Sequence, residues 1–238
     1  MMRRDVQFTS GKEQLAGRLF SSPTSTSQTG VLFLHGAGQA TKERAEPIVE
    51  KIYETGGLSS FTFDFSGHGK SSGTLESSSL QKRVSEARAA LTACGFQQPI
   101  SVCASSMGGH VALELLKYVN IQSLLLFYPA VYTKDAVDLP FGDPLFSSII
   151  RGEKSWENSN VFNYLHDFTG NLLVVAGQKD NVIPREVIDL IMSNANLTNP
   201  KRLIVIEDAP HLLLSTLYER PSVFEDICNT IIEFSIQK

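Results

Sequence analysis

Residues 100–109, Ile100-Ser101-Val102-Cys103-Ala104-Ser105-Ser106-Met107-Gly108-Gly109, run from apolar side chains into a cluster of small ones. Ile100 to Cys103 predicts a short buried strand, and Val111, Leu115 and Tyr118 recur behind it at helical spacing. A strand, a sharp turn and a helix follow from that pattern. A side chain at the tip of such a turn needs small neighbours two residues away on either side, because the backbone there is crowded and strained. Ser106 has Ala104 before it and Gly108 after it, whereas Ser105 would have the bulkier Cys103 and Met107. Ser106 is therefore the candidate nucleophile. The plain alternative is a serine that caps the following helix.

The same alternation extends in both directions. Val31 to Leu34 is a continuous apolar run, as a strand covered on both faces must be, and Ser60–Phe63, Ser123–Phe127, Leu172–Ala176 and Leu203–Ile206 read alike. Between them, helical stripes pass through Ala45, Ile48, Val49, Ile52 and Tyr53, then Val84, Ala87, Ala90 and Leu91, then Val187, Ile188 and Ile191. A last stripe passes through Phe224, Ile227, Ile231 and Phe234. Strands alternating with helices predict an α/β fold, a mostly parallel sheet with helices on both faces. Val6 to Phe20 fits an antiparallel hairpin at one edge, and Ser21 to Gly30 a polar surface turn. With no repeat and no linker-like segment, the 238 residues read as one domain. The stretch 131–168 breaks the rhythm. Phe141, Phe146, Trp156, Phe162 and Tyr164 are scattered there among polar residues, which fits a small cap or lid, or ordinary surface packing.

Composition narrows the function classes. Hydrophobic residues make up 42% and charged residues 19%, too apolar for a disordered chain. The net charge of −4 offers no bulk field for nucleic acid or anionic lipid, and the pairs Arg3-Arg4 and Lys82-Arg83 are too short to make a basic patch. Cys94, Cys103 and Cys228 lack Cys-x-x-Cys spacing and read as reduced, buried thiols. Metal ligation has no spaced histidine pair to rest on, and the glycines form no phosphate or dinucleotide fingerprint. No cofactor is expected. The N-terminal MMRR has no apolar run behind it, and the apolar stretch around Leu124–Phe127 is far short of a membrane span. The expected protein is cytoplasmic, with a small-molecule substrate and neither nucleic acid nor membrane as partner. Nothing in the sequence speaks to its oligomeric state.

In an open parallel sheet ligands bind beyond the carboxyl ends of the strands, so residues just after each strand matter most. Ser106 with its neighbours resembles the nucleophile elbow of the α/β-hydrolase superfamily, particularly its compact serine esterases with short caps; Ala104 stands where that pattern has its first glycine. Other positions agree in order. His35-Gly36-Ala37-Gly38 resembles the family's oxyanion turn, Asp64-Phe65-Ser66-Gly67-His68-Gly69-Lys70-Ser71 its structural loop, and Gly177-Gln178-Lys179-Asp180-Asn181-Val182-Ile183-Pro184 its acid turn. The resemblance implies that Ala37 and Met107 supply oxyanion amides, that Asp180 is the acid and that His211 is the base. It also implies that His35, Asp64 and His68 are architectural. Asp208 is the rival acid; His110 and His166 are expected to be packed or merely exposed.

The function so implied is hydrolysis of a carboxylic ester through an acyl-enzyme, with small acyl or aromatic esters favoured by a short aromatic cap. A thioesterase or a serine aminopeptidase-type hydrolase would use the same residues. A non-catalytic ligand-binding protein on the same fold is the reading from another class.

Overall fold

The structure is a computed structural model that describes residues 1–22 and 30–236. Most of the polar turn expected between Ser21 and Gly30 lies outside the described residues. The strands are β1 (Met2–Ser10), β2 (Glu13–Ser21), β3 (Val31–Leu34), β4 (Ser60–Phe63), β5 (Ile100–Ser105), β6 (Ile121–Phe127), β7 (Asn171–Gly177) and β8 (Lys201–Ile206). They form one sheet in the order β1-β2-β4-β3-β5-β6-β7-β8. The β1–β2 hairpin joins the sheet antiparallel at one edge, as its sequence predicts, and all strands from β4 to β8 run parallel.

Strand side chains alternate between faces, and the two cores follow that alternation. Leu32, Leu34, Val102, Leu124, Leu126 and Val174 point into one core. Helices α2 (Leu80–Cys94), α3 (Met107–Leu115), α5 (Val161–His166) and α6 (Arg185–Asn194) contribute to its cover. Val31, Phe33, Cys103, Leu125, Phe127 and Val175 point into the other, beneath α1 (Glu46–Gly56), α7 (Leu213–Tyr218) and α8 (Pro221–Ile236). The three cysteines are buried free thiols. Among the described residues, no helix is long and apolar enough to cross a membrane.

One local reading needs correction. Helix α3 ends at Leu115, so Tyr118 is not on its buried stripe; it is 40% exposed, with the Arg88 guanidinium 4.7 Å above its ring. Between β6 and β7 the aperiodic stretch carries a 3-10 turn (Lys134–Ala136), α4 (Pro144–Ile150) and α5. These helices span only two turns or less, too short for a periodic signal, although Asp143 caps Leu145 N–H and Pro144 opens α4. Their aromatics divide in two. Phe141 and Phe146 cluster with Tyr132 over Leu80 and Met107, while Trp156, Phe162 and Phe168 pack into the main core. Arg83, next to Lys82 in sequence, is completely buried.

Chain order reverses at β3, because β4 lies on one side of it and β5 on the other. That switch point opens a crevice beyond the carboxyl ends of β3 and β5, where ligands bind in sheets of this kind. The turn entering α1 is pinned beside the crevice by a buried ion pair. Lys42 Nζ lies 2.6 Å from Asp64 Oδ2, and the Lys42 and Lys70 amides donate to the same carboxylate at 2.8 and 3.1 Å. Ser71 Oγ donates to the Asp64 carbonyl at 2.6 Å. Asp64 thus bonds to Lys42 and the loop backbone, consistent with an architectural part.

Removing one partner of a buried pair leaves the other charge uncompensated, which costs about 3–5 kcal/mol. Asp64→Ala should therefore lower the unfolding free energy by about that much in a urea titration. A loss below about 1 kcal/mol would show that Glu43, 2.9 Å from Lys42 Nζ, compensates the charge alone.

Candidate active site

The turn after β5 carries Ser106 in a conformation few residues adopt, with φ 50° and ψ −121°. Its amide donates to the Phe127 carbonyl at 3.0 Å, and its carbonyl accepts from Ala130 N–H at 2.9 Å, so β6 holds the strained turn from below. Two glycines make the turn possible. A Cβ at Gly108 would sit 2.6 Å from the Leu34 carbonyl oxygen, and one at Gly36 would sit 3.1 Å from Ser106 Cβ. The ends of β3 and β5 therefore meet backbone to backbone. The side chain of Ser106 makes no capping bond to α3, which excludes its reading as a helix cap.

Ser106 Oγ instead lies 3.2 Å from His211 Nε2, across 105 residues of sequence. His211 Nδ1 lies 2.9 Å from Asp180 Oδ2. With the proton on Nδ1 donated to the carboxylate, Nε2 is left as an acceptor for the serine hydroxyl. The other carboxylate oxygen accepts from Val182 N–H at 2.8 Å and Ile183 N–H at 3.0 Å. Burial raises the Asp180 pKa, but the bonds from His211, Ile183 and Val182 outweigh it and hold the carboxyl below its ordinary value. The three predicted side chains thus come together in one hydrogen-bonded row, from the ends of β5, β7 and β8.

Asp208 does not compete for the histidine. It is exposed and pairs with Lys179 at 2.7 Å. His35 is buried, with Nδ1 2.7 Å from the Gly36 carbonyl and Nε2 accepting from Phe65 N–H at 3.1 Å. Burial, aided by the nearby Arg83 charge, keeps it neutral and pushes its pKa well down. His110 is buried in α3 and His166 is exposed beside Asp167. Ala37 lies exposed on the turn after β3, and Met107 opens α3, where an N–H has no intrahelical acceptor. Ala37 follows Gly36, which packs against Ser106, and Met107 follows Ser106 directly, where the α3 dipole favours negative charge.

Tyr128 is a residue that sequence reading did not single out. It has φ 40° just past β6, and its ring lies edge-on 4.8 Å from the His211 ring. A tyrosine at a strand end carries no motif, so only the tertiary contact reveals it. A polar groove of about 420 Å³ lies beside the turn after β3, between Gly38–Thr41 and the loop that carries His68 and Glu76. A second cleft of about 690 Å³ lies between Trp156 and Pro184, next to the acid turn. Among the described residues, no group of three or more His, Cys, Asp or Glu side chains is placed to hold a metal ion.

Comparison with known proteins agrees with this fold. The family profile described as serine aminopeptidase, S33, matches residues 25–155, which include Ser106 but neither Asp180 nor His211. No curated protein matches the chain. Among solved structures, a predicted CIB-like hydrolase from Thermoplasma acidophilum is 16% identical with a TM-score of 0.72, over 98% of this chain and 99% of that one. The Pyrococcus furiosus esterase Pf2001 is 22% identical with a TM-score of 0.73, over 99% and 92%. Est1E from Butyrivibrio proteoclasticus, solved with ferulic acid bound, is 17% identical with a TM-score of 0.72, over 97% and 99%. At these identities the likeness is one of fold.

The lowered pKa of Asp180 has a signed consequence. Its ionised form stabilises the fold fully above the ordinary carboxyl pKa, and that contribution disappears as pH falls through the lower folded value. Unfolding free energy measured from pH 6 to pH 2 should therefore fall less steeply at the acid end in Asp180→Asn than in the parent. Parallel curves would mean that the His211 and amide bonds do not favour the ionised carboxylate.

Proposed function

The chain belongs to the serine aminopeptidase family, S33, with the α/β-hydrolase fold, and from that premise we propose that it is a serine hydrolase of carboxylic esters. The observation that carries the proposal is the row Ser106–His211–Asp180, bonded at 3.2 and 2.9 Å. In this reading Ser106 Oγ attacks the ester carbonyl while His211 Nε2 takes its proton. Asp180 keeps the imidazole proton on Nδ1 and stabilises the imidazolium that forms. The Ala37 and Met107 amides donate to the tetrahedral oxyanion, whose charge exists only along the reaction path, so their stabilisation counts fully toward rate. His211 then protonates the leaving alcohol and activates water against the acyl-enzyme. Substrate, water and the three side chains supply every atom of the cycle.

The cluster of Tyr132, Phe141 and Phe146 around Met107 supports small acyl or aromatic groups rather than long lipids, since it crowds the space beyond the oxyanion amides. A second reading, cleavage of an amide next to a free amino group, draws on the family description. The same residues would serve it, with the leaving amine protonated by His211.

Hydrolysis of 4-nitrophenyl esters from acetate to laurate tests the proposal, with rates expected to peak at short chains. Ser106→Ala or His211→Ala should cut turnover by several powers of ten while the circular dichroism stays unchanged. Asp180→Asn should also be severely impaired and Asp208→Asn close to parental. Near-normal rates in Ser106→Ala would sink the assignment. Faster serine-dependent release from aminoacyl 4-nitroanilides than from esters would favour the peptidase reading. Failure of a fluorophosphonate probe to label Ser106 would move weight to a binding protein.

A further inference from the structure

Among the described residues Arg83 is the largest side chain with no exposed surface. Among the described residues no carboxylate oxygen lies within 4 Å of its guanidinium. Nη1 donates to the Met107 sulfur at 3.3 Å, Nη2 lies 3.4 Å from His68 Nε2, and Nε has no partner at all. The planar group is sandwiched between the rings of Phe65 and Phe141, 4.9 and 5.0 Å from their centroids. Glu86, one turn along α2, is the carboxylate whose charge acts on it. One Glu86 oxygen accepts from Ser66 N–H at 3.1 Å and the other is unpartnered. Burial raises the Glu86 pKa and favours its neutral form. Burial also lowers the Arg83 pKa, to about 10, so the guanidinium remains charged at neutral pH. A thioether and a neutral imidazole are weak partners for a buried cation, and arginine is seldom buried without a carboxylate or phosphate.

The position of this charge matters more than its burial. Met107, which touches it, is also the residue whose amide faces the oxyanion in the reading above. A methionine side chain spans about 5 Å from its nitrogen to its sulfur, which places Nη1 within roughly 8 Å of that amide. Met107 is buried, packed with Leu80, Ala136 and Phe146, and its thioether has three soft torsions that give it other rotamers. A change of that rotamer would uncover Arg83 Nη1 on the side of the residue that directly follows Ser106.

We propose that Arg83 forms the floor of an acyl subsite for a substrate whose acyl chain ends in a carboxylate, with the Met107 side chain holding the place of that carboxylate in the empty site. This rests on the reading of Ser106 as nucleophile. The spacing fits monoesters of short dicarboxylic acids, in which about two to four carbons separate the reacting carbonyl from the charged end. The planar guanidinium would accept the carboxylate through paired N–H donors, which a lysine at the same place would match poorly.

The test compares 4-nitrophenyl hydrogen glutarate with its methyl-capped neutral counterpart, reading kcat/KM for each. The parent protein should prefer the anionic ester by at least tenfold. That ratio should collapse by at least tenfold in Arg83→Met and fall partway in Arg83→Lys. Binding of glutarate to Ser106→Ala, followed by calorimetry, needs no turnover and should vanish when Arg83→Met is added. Equal rates on the two esters in the parent protein, or no glutarate binding to Ser106→Ala, would overturn the subsite, and neither result depends on whether an Arg83 variant folds. Turnover of neither ester alongside Arg83-dependent glutarate binding would overturn the ester reading and still support the anion site.

Discussion

The backbone contact between the end of β3 and the turn after β5 is the constraint on which the rest depends. Gly108 lies too close to the Leu34 carbonyl for any Cβ, and Gly36 packs against Ser106 itself. Those contacts are possible because β3 and β5 are parallel neighbours, with Leu34 opposite Ala104 in register. The register sets Ser106 and the turn carrying Ala37 at the same height above the sheet. A slip of one residue would turn every side chain of β5 to the wrong core. The two apolar cores therefore hold the crevice in shape as well as the fold, since each fixes alternate residues of the same strands.

Around that contact the molecule keeps charge out of water in two different ways. Lys42 and Asp64 neutralise each other, and the carboxylate's remaining capacity is filled by backbone amides, so the pair behaves as a clamp between two loops. Arg83 is handled otherwise. Aromatic faces and a polarisable sulfur spread its field without cancelling it. The first arrangement is complete as it stands, and the second has unused hydrogen-bonding capacity beside the crevice.

The sheet and its flanking helices were legible because the central strands are rich in apolar residues and the long helices carry apolar stripes, as with Val31–Leu34 followed by Ile48, Val49 and Ile52. Ser106 was legible from the small residues its turn demands; His211 and Asp180 were reached through ordered resemblance and placed by tertiary contact. What stayed hidden was set by packing. Helices α4, α5 and α7 are too short to repeat a pattern. Arg83 sits beside Lys82 in sequence and reads as solvated, yet α2 turns it inward between two rings. Tyr128 acquires its place against His211 only when β6 and β8 lie in one sheet.

The three bonded residues enter the molecule in chain order, from the ends of β5, β7 and β8. Strand β8 forms the sheet's outer edge and pairs with β7 alone. The imidazole therefore depends on a strand with a single neighbour: loosening of β8 from β7 alone would part His211 from Ser106 and Asp180 while every other strand pairing stayed intact.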